Sequence, residues 1–185
     1  MSNPAVFTYG RFNPPTIGHE QMIVDMIKYA KEKGATPYVI VSHSYNSSKN
    51  PLKVNNKLDV LQKMFPDDNE VKFLYTLPAL MMLKDIPAML ESGYGHDSVE
   101  MVVGSDRVGQ FNWLGIPVLS LSKKRNQGRS RKGVHTVSGT RVREAACSDD
   151  PGSDQYFRNC MSPSLPNNEK ARIKSLVRNR MKARS

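Results

Sequence analysis

Tyr9-Gly10-Arg11-Phe12-Asn13-Pro14-Pro15-Thr16-Ile17-Gly18-His19 joins a β-prone run to a helical one through a tight loop. The run that enters it, Ala5-Val6-Phe7-Thr8-Tyr9, is apolar and rich in β-branched and aromatic residues, and it stops at Gly10. Asn13-Pro14-Pro15 builds a turn, and after His19 the residues Met22, Ile23, Met26 and Ile27 recur at the spacing of one helical face. The order is strand, tight loop, helix, with Gly10 and Gly18 where main chain passes close to another group. A helix opening beside such a loop presents unpaired N–H groups and the positive end of its dipole, which together suit a phosphate.

Working outward, Lys33-Gly34 ends the first helix, and strands are predicted at 37–42, 71–75, 99–103 and 116–121. A helix near Asn55 carries Leu58, Leu61 and Phe65 on one face and closes at Pro66, and an apolar helix is predicted over 78–90. Strands alternating with helices predict an α/β fold, a doubly wound parallel sheet with helices on both faces. Ligands of such sheets sit beyond the carboxyl ends of the strands, where Gly10, the 43–50 loop and Gly104 all fall. Residues 149–154 read as a polar turn, and a last amphipathic helix over 168–182 places Ile173, Leu176, Val177 and Met181 on one face.

Thr16-x-Gly18-His19 resembles the T/H-x-G-H signature of the HIGH-type nucleotidyltransferase superfamily, which includes pantetheine-phosphate and nicotinamide-nucleotide adenylyltransferases and the small cytidylyltransferases. The longer form Gly-Arg-Phe-x-Pro-x-Thr-x-Gly-His is similar to archaeal-type nicotinamide-nucleotide enzymes and to phage cytidylyltransferase-like proteins. The resemblance covers roughly residues 4–147. It implies a Rossmann-like (HUP-type) nucleotidyltransferase fold with a C-terminal helical extension, divided here as domain 1–160 and basic helix 161–185. It also implies that His19 and Thr16 stabilise charge on a transferred phosphate, a chemistry of positioning and charge neutralisation rather than covalent catalysis.

A second stretch, Ser138-Gly139-Thr140-Arg141-Val142-Arg143, puts a good N-cap serine before a helix whose first turns carry two arginines. It resembles the superfamily's S-G-T-x-x-R signature, which holds the β- and γ-phosphates of the triphosphate and so implicates Ser138, Gly139, Thr140 and Arg143, with Arg141 as helper. Gly104-Ser105-Asp106 looks like the G-x-D segment that places Asp106 near the ribose, while Trp113 reads as a core residue more readily than as a stacking platform. In Ser47-Ser48-Lys49-Asn50-Pro51, Pro51 fixes the loop, and Lys49 is the candidate for phosphate or acceptor contact, with Lys53 and Lys57 as alternatives. Gly10, Arg11, Phe12 and Gly18 complete the nucleotide-binding set. No acidic cluster forms a metal cage; the expected cofactor is Mg2+, held mainly by nucleotide phosphates.

The 185 residues fit one domain with a sizeable core, and 38% hydrophobic with 24% charged residues is ordinary for a soluble globular protein. Cys147 and Cys160 match neither a zinc ribbon nor a redox pair, so free thiols in a cytoplasm (the host's, if the protein is phage-encoded) are expected. No targeting segment is evident and no apolar run is long enough to span a membrane. The formal charge of +10 suits a polyanionic partner, and six of the ten residues 123–132 are Lys or Arg.

The expected activity is transfer of AMP from ATP to a phosphate-bearing acceptor such as nicotinamide mononucleotide. The competitors are cytidylyl transfer from CTP to a phosphorylated alcohol and a non-catalytic phage assembly or virion protein that keeps the fold. In that last case 123–132 and 168–185 would meet nucleic acid or a protein, with strong salt dependence for nucleic acid. The tail helix has two destinations, its own domain or another subunit of a homo-oligomer.

Overall fold

The computed structural model describes residues 2–68, 70–104, 107–121 and 137–182. Asp106 and the basic segment 123–132 therefore lie outside the described residues. By contacts the chain forms two compact units: Met1–Gly10, Gln21–Ser42 and Asp68–Ser130 make the first, and Arg11–Glu20, His43–Asp67 and Arg131–Ser185 the second.

The first unit holds a five-stranded, all-parallel sheet in the order β3-β2-β1-β4-β5. The strands are β1 (Pro4–Gly10), β2 (Thr36–Val41), β3 (Lys72–Tyr75), β4 (Ser98–Val103) and β5 (Val118–Ser120). Phe7 pairs with both Tyr38 and Met101, which puts β1 at the centre. Ala5 and Phe7 of β1 pack on one face with Tyr38, Ile40, Val99, Met101, Val103, Ile86 and Leu90. The alternate residues Val6 and Thr8 are buried on the opposite face, where the Thr8 hydroxyl reaches the Met22 sulfur at 3.7 Å. Burial on both faces is what a parallel sheet demands, and it explains the near-continuous apolar runs of β1 and β2. The ladder runs on past the strand ends: the Ser42 N–H donates to the Gly10 carbonyl and the Thr76 N–H to the Val41 carbonyl, each at 2.9 Å.

Helix α1 (Ile17–Lys33) begins in the second unit and continues in the first, burying Ile23, Met26 and Ala30; Met22 and Ile27 of the expected face are half-buried. The helix predicted over 78–90 is corrected. Leu77 and Met81 exchange main-chain hydrogen bonds at 2.7 and 3.0 Å, closing a tight turn in which Ala79 has φ 61° and Leu80 is 81% exposed. Helical geometry starts only at Leu83, runs through the single turn α3 (Ile86–Ala88) and widens to a π-turn over Met89–Gly93. Of this segment Ile86 and Leu90 are fully buried in the core, and Met81, Leu83 and Met89 pack against it partly exposed. Trp113, in the 3-10 segment Val108–Leu114, is 62% exposed and is not a core residue.

The second unit contains α2 (Val54–Met64), α4 (Gly139–Cys147), α5 (Pro151–Cys160) and α6 (Asn167–Lys182). The buried face of α2 is Lys57, Val60, Leu61 and Met64, rotated from the expected Leu58, Leu61 and Phe65. The expected turn at 149–154 is instead the start of α5: Asp150 is the N-cap, accepting the Ser153 N–H at 3.2 Å, and Pro151 takes the first helical position. Helix α4 packs against both α5 and α6, and Ile173 and Val177 of α6 are fully buried. Cys147 and Cys160 are free thiols, and among the described residues no helix is long and apolar enough to cross a membrane.

Candidate active site

Nearly all the described candidate side chains belong to the second unit, and its loop Arg11–Thr16 is built around one amide. Asn13, 4% exposed, donates from Nδ2 to the Arg11 carbonyl at 3.2 Å and to Asn50 Oδ1 at 3.3 Å. Its Oδ1 accepts the Leu52 N–H at 2.7 Å. Asn50 Oδ1 also takes the Ser44 hydroxyl at 3.1 Å, so two loops share one buried polar network. Phe12 sits at φ 48°, in the left-handed region, with its ring buried and centred 4.7 Å from the His19 ring. The Asn13–Pro14 peptide is cis.

The Thr16 carbonyl accepts the Glu20 N–H at 2.9 Å, which makes Thr16 the residue that caps α1. Gly18 and His19 are therefore already helical, whereas the sequence pattern placed the helix start after His19. His19, three residues past the cap, reaches back: its Nδ1 accepts the Thr16 main-chain N–H at 3.0 Å and lies 3.2 Å from Thr16 Oγ1. This is the reciprocal half of a capping box, with imidazole in the place of Glu or Gln. A main-chain N–H can only donate, so Nδ1 is an acceptor and the neutral ring carries its proton on Nε2. Glu20 beside it accepts the hydroxyl of the buried Ser162.

Helix α4 starts as its sequence predicts, with Ser138 Oγ accepting the Arg141 N–H at 3.4 Å. Arg143 is 8% exposed and donates from Nη1 to the Asn13 carbonyl at 3.0 Å and from Nη2 to Thr140 Oγ1 at 3.3 Å. The two phosphate-type stretches thus meet through a direct bond between residues 130 apart in sequence. Gly139 leaves room for this: a Cβ there would lie 3.0 Å from Arg143 Nη1. Arg141 turns away, its guanidinium 4.8 Å over the Tyr156 ring.

Lys57, one of the two alternatives to Lys49, is fully buried and donates from Nζ to the Ser44 carbonyl at 3.1 Å. Burial, and secondarily the Arg11 charge, pull its pKa down to about 8. The same two causes, in the same order, lower Arg143. The positive charge of Arg11 thus acts against both Lys57 and Arg143, an arrangement that an anion would relieve. Lys49 is exposed; it rides on a turn in which Asn46 Oδ1 accepts the N–H groups of Ser48, Lys49 and Asn50. Gly10 ends β1 in the first unit, with its carbonyl bonded to Ser42.

Sequence reasoning missed Asn13 and Asn50 as structural centres. Both precede a proline (Asn13-Pro14 and Asn50-Pro51), and that shared dipeptide was the available signal. The cations of α6 are largely engaged inside the unit: Arg172 with Asp59 at 2.7 Å and with Glu169, Lys174 with Asp154 at 2.8 Å, and Arg178 with Asp149. Arg180 lies 4.3 Å over the Tyr45 ring.

A family model described as cytidylyltransferase-like matches residues 7–145. No curated protein matches the chain. Among solved structures, nicotinic acid mononucleotide adenylyltransferase of Plasmodium falciparum, complexed with APC, superposes with a TM-score of 0.60 at 11% identity, covering 95% of this chain and 98% of that one. A bifunctional NMN adenylyltransferase/ADP ribose pyrophosphatase of Francisella tularensis, complexed with AMP and a Mn ion, gives a TM-score of 0.64 at 12% identity. That likeness covers 98% of this chain but 52% of the Francisella protein, so the chain spans about half of it.

Proposed function

We propose that this chain, which belongs to the cytidylyltransferase-like family, moves AMP from ATP to the phosphate of an acceptor such as nicotinamide mononucleotide. Family membership makes it a nucleotidyltransferase; the donor and the acceptor are the inferred part. The observation that carries the reading is the Thr16–His19 pair, whose cap bond fixes the imidazole with its proton on Nε2 at the positive end of α1. An oxygen of the acceptor phosphate attacks the α-phosphorus in line. A new P–O bond forms as the α–β bridging bond breaks, and its electron pair leaves with pyrophosphate. The attacking oxygen is already ionised, so no base is required.

In this reading His19 Nε2–H and the Thr16 hydroxyl donate to the charge on the transferred phosphate. Arg143, with Ser138, Gly139 and Thr140 at the start of α4, takes the leaving pyrophosphate, and Arg11 and Lys57 add positive charge. Gly10, Phe12 and Gly18 shape the approach to the nucleotide. Lys49 orients phosphates from the loop and Arg141 is a helper, while Asp106, expected near the ribose, lies outside the described residues. Magnesium enters as Mg·ATP. Among the described residues no group of three His, Cys, Asp or Glu side chains could hold a metal ion; a magnesium ion would be held mainly by the triphosphate oxygens and would supply charge neutralisation there.

AMP transfer to a mononucleotide is supported by the two structural neighbours, both named as mononucleotide adenylyltransferases. The description of the matching family favours a second reading, CMP transfer from CTP to a phosphorylated alcohol. Pyrophosphate release with magnesium, using ATP and CTP separately against nicotinamide mononucleotide, phosphopantetheine, glycerol 3-phosphate and phosphocholine, decides between them. Release that needs ATP and nicotinamide mononucleotide, and disappears in His19→Ala, supports the proposal. Release with CTP and an alcohol phosphate replaces it by the second reading. Nucleotide binding without release from any pair points to the non-catalytic assembly role.

A further inference from the structure

We infer that Asn13 is a positioning residue for the leaving-phosphate arginine, acting through the Asn13–Asn50 amide pair; the inference rests on the nucleotidyl-transfer reading above. The orientation of the Asn13 amide is dictated by its partners. A main-chain N–H, that of Leu52, meets Oδ1 at 2.7 Å, and a main-chain carbonyl, that of Arg11, meets Nδ2 at 3.2 Å. One partner can only donate and the other can only accept, so the amide fits one way round. The second Nδ2 hydrogen goes to Asn50 Oδ1 at 3.3 Å, which the Ser44 hydroxyl also serves. Both Nδ2 hydrogens and the Oδ1 of Asn13 are thereby engaged by two loops, 11–16 and 43–53.

What this fixes is the main-chain carbonyl of Asn13, which receives Arg143 Nη1 at 3.0 Å. The neighbouring Phe12 is held at φ 48°, a conformation that a non-glycine residue keeps only when its surroundings over-determine it. Asn13 supplies that constraint from the adjacent position. The chain of cause runs from the side-chain amide, through the loop, to the carbonyl, and from the carbonyl to the guanidinium. Lys57 is tied to the same network, since its Nζ donates to the Ser44 carbonyl at 3.1 Å. Aspartate at position 13 would keep the Leu52 bond but set a carboxylate oxygen against the Arg11 carbonyl and Asn50 Oδ1. The near-isosteric change therefore loosens the loop without removing volume.

The test is a double-mutant cycle of Asn13→Asp and Arg143→Ala, with Asn50→Ala as a milder break of the same pair should Asn13→Asp not fold. ATP and CTP affinities, kcat, KM and thermal melting are read for each. Expected is a loss of about a hundredfold in kcat/KM for Asn13→Asp, shared between a raised KM for the triphosphate and a lowered kcat. In the Arg143→Ala background the same change should add less than about twofold. A variant that melts earlier but keeps kcat and KM per folded molecule would show a structural role alone and overturn the inference. A full multiplicative loss on top of Arg143→Ala would also overturn it. Where the wild type binds nucleotide without turning over, the affinities carry the cycle, and equal affinity in wild type and Asn13→Asp overturns the inference alone. Wild type that binds neither ATP nor CTP removes the nucleotidyl-transfer reading itself, and the inference with it.

Discussion

His19 Nδ1 accepts the main-chain N–H of Thr16 at 3.0 Å, so one ring nitrogen holds the start of α1 while the other carries the proton. Structure and chemistry can be separated here by substitution. His19→Gln keeps an acceptor at the third helical position, where Gln is an ordinary capping-box partner, and loses the imidazole. His19→Ala loses both, and the missing cap contact costs about 1 kcal/mol. Melting of His19→Gln is expected close to wild type and above His19→Ala, while both lose about a hundredfold or more in turnover. Retention of turnover in His19→Gln would take the imidazole out of the reaction.

Lys57 gives the protein a pH dependence of defined sign. Its folded pKa is about 8, through burial first and the Arg11 charge second, against about 10.4 in an unfolded chain. Below pH 8 the buried charge opposes folding. Between about pH 8 and 10.4 the unfolded chain holds the extra proton, so this group adds stability as the pH rises. Anion binding wants the charged form, so the KM for triphosphate should rise above pH 8 by up to about tenfold per pH unit. In Lys57→Met that rise should vanish, KM at pH 7 should be higher, and the melting temperature at pH 7 should not fall. Unchanged KM–pH profiles in wild type and Lys57→Met would show that Lys57 does not face the phosphates.

The first of these relationships was written in the sequence and the second was only half legible. Thr16-x-x-His19 has the spacing of a capping box, but with His in place of Glu or Gln the pattern points to chemistry first, and the helix start was set too late. The five strands and Ser138 at its cap were legible because apolar runs and N-cap chemistry are local signals. The burial of Lys57 was not, because it turned on which face of α2 is buried. Lysine at a core position of an amphipathic helix contradicts the apolar stripe used to find that face. The 78–90 segment failed for the opposite reason: its residues are apolar, but a turn pinned by Leu77 and Met81 overrides composition.

Gly139 tests the α4 end of the site without removing a charged group. An added Cβ would stand 3.0 Å from Arg143 Nη1, the far end of a flexible side chain, so the fold can accommodate it. Alanine is also the better helix former, by about 1 kcal/mol. Gly139→Ala should therefore melt no lower than wild type, yet shift the guanidinium and raise the triphosphate KM several-fold, to about tenfold at most. Isothermal titration with ATP beside a melting curve reads both. Loss of stability with unaltered affinity would mean that Gly139 serves the loop rather than Arg143.

Helix α6 decides whether the basic tail is a strut or a free arm. Ile173 and Val177 are fully buried, and α6 lies against α4. Arg172 and Lys174 reach Asp59 and Asp154 at 2.7 and 2.8 Å, and Arg180 covers Tyr45 at the start of the loop that carries Lys49. Partly exposed ion pairs contribute little each, so the apolar contacts should dominate. Ile173→Ala is expected to lose about 2–5 kcal/mol in urea unfolding, and Lys174→Ala less than about 1 kcal/mol. A strut also predicts that Ile173→Ala weakens triphosphate binding, through the loop below Arg180, in salt-independent fashion. An unfolding midpoint equal to wild type for Ile173→Ala would place α6 outside the packed core and return its lysines and arginines to a polyanionic partner.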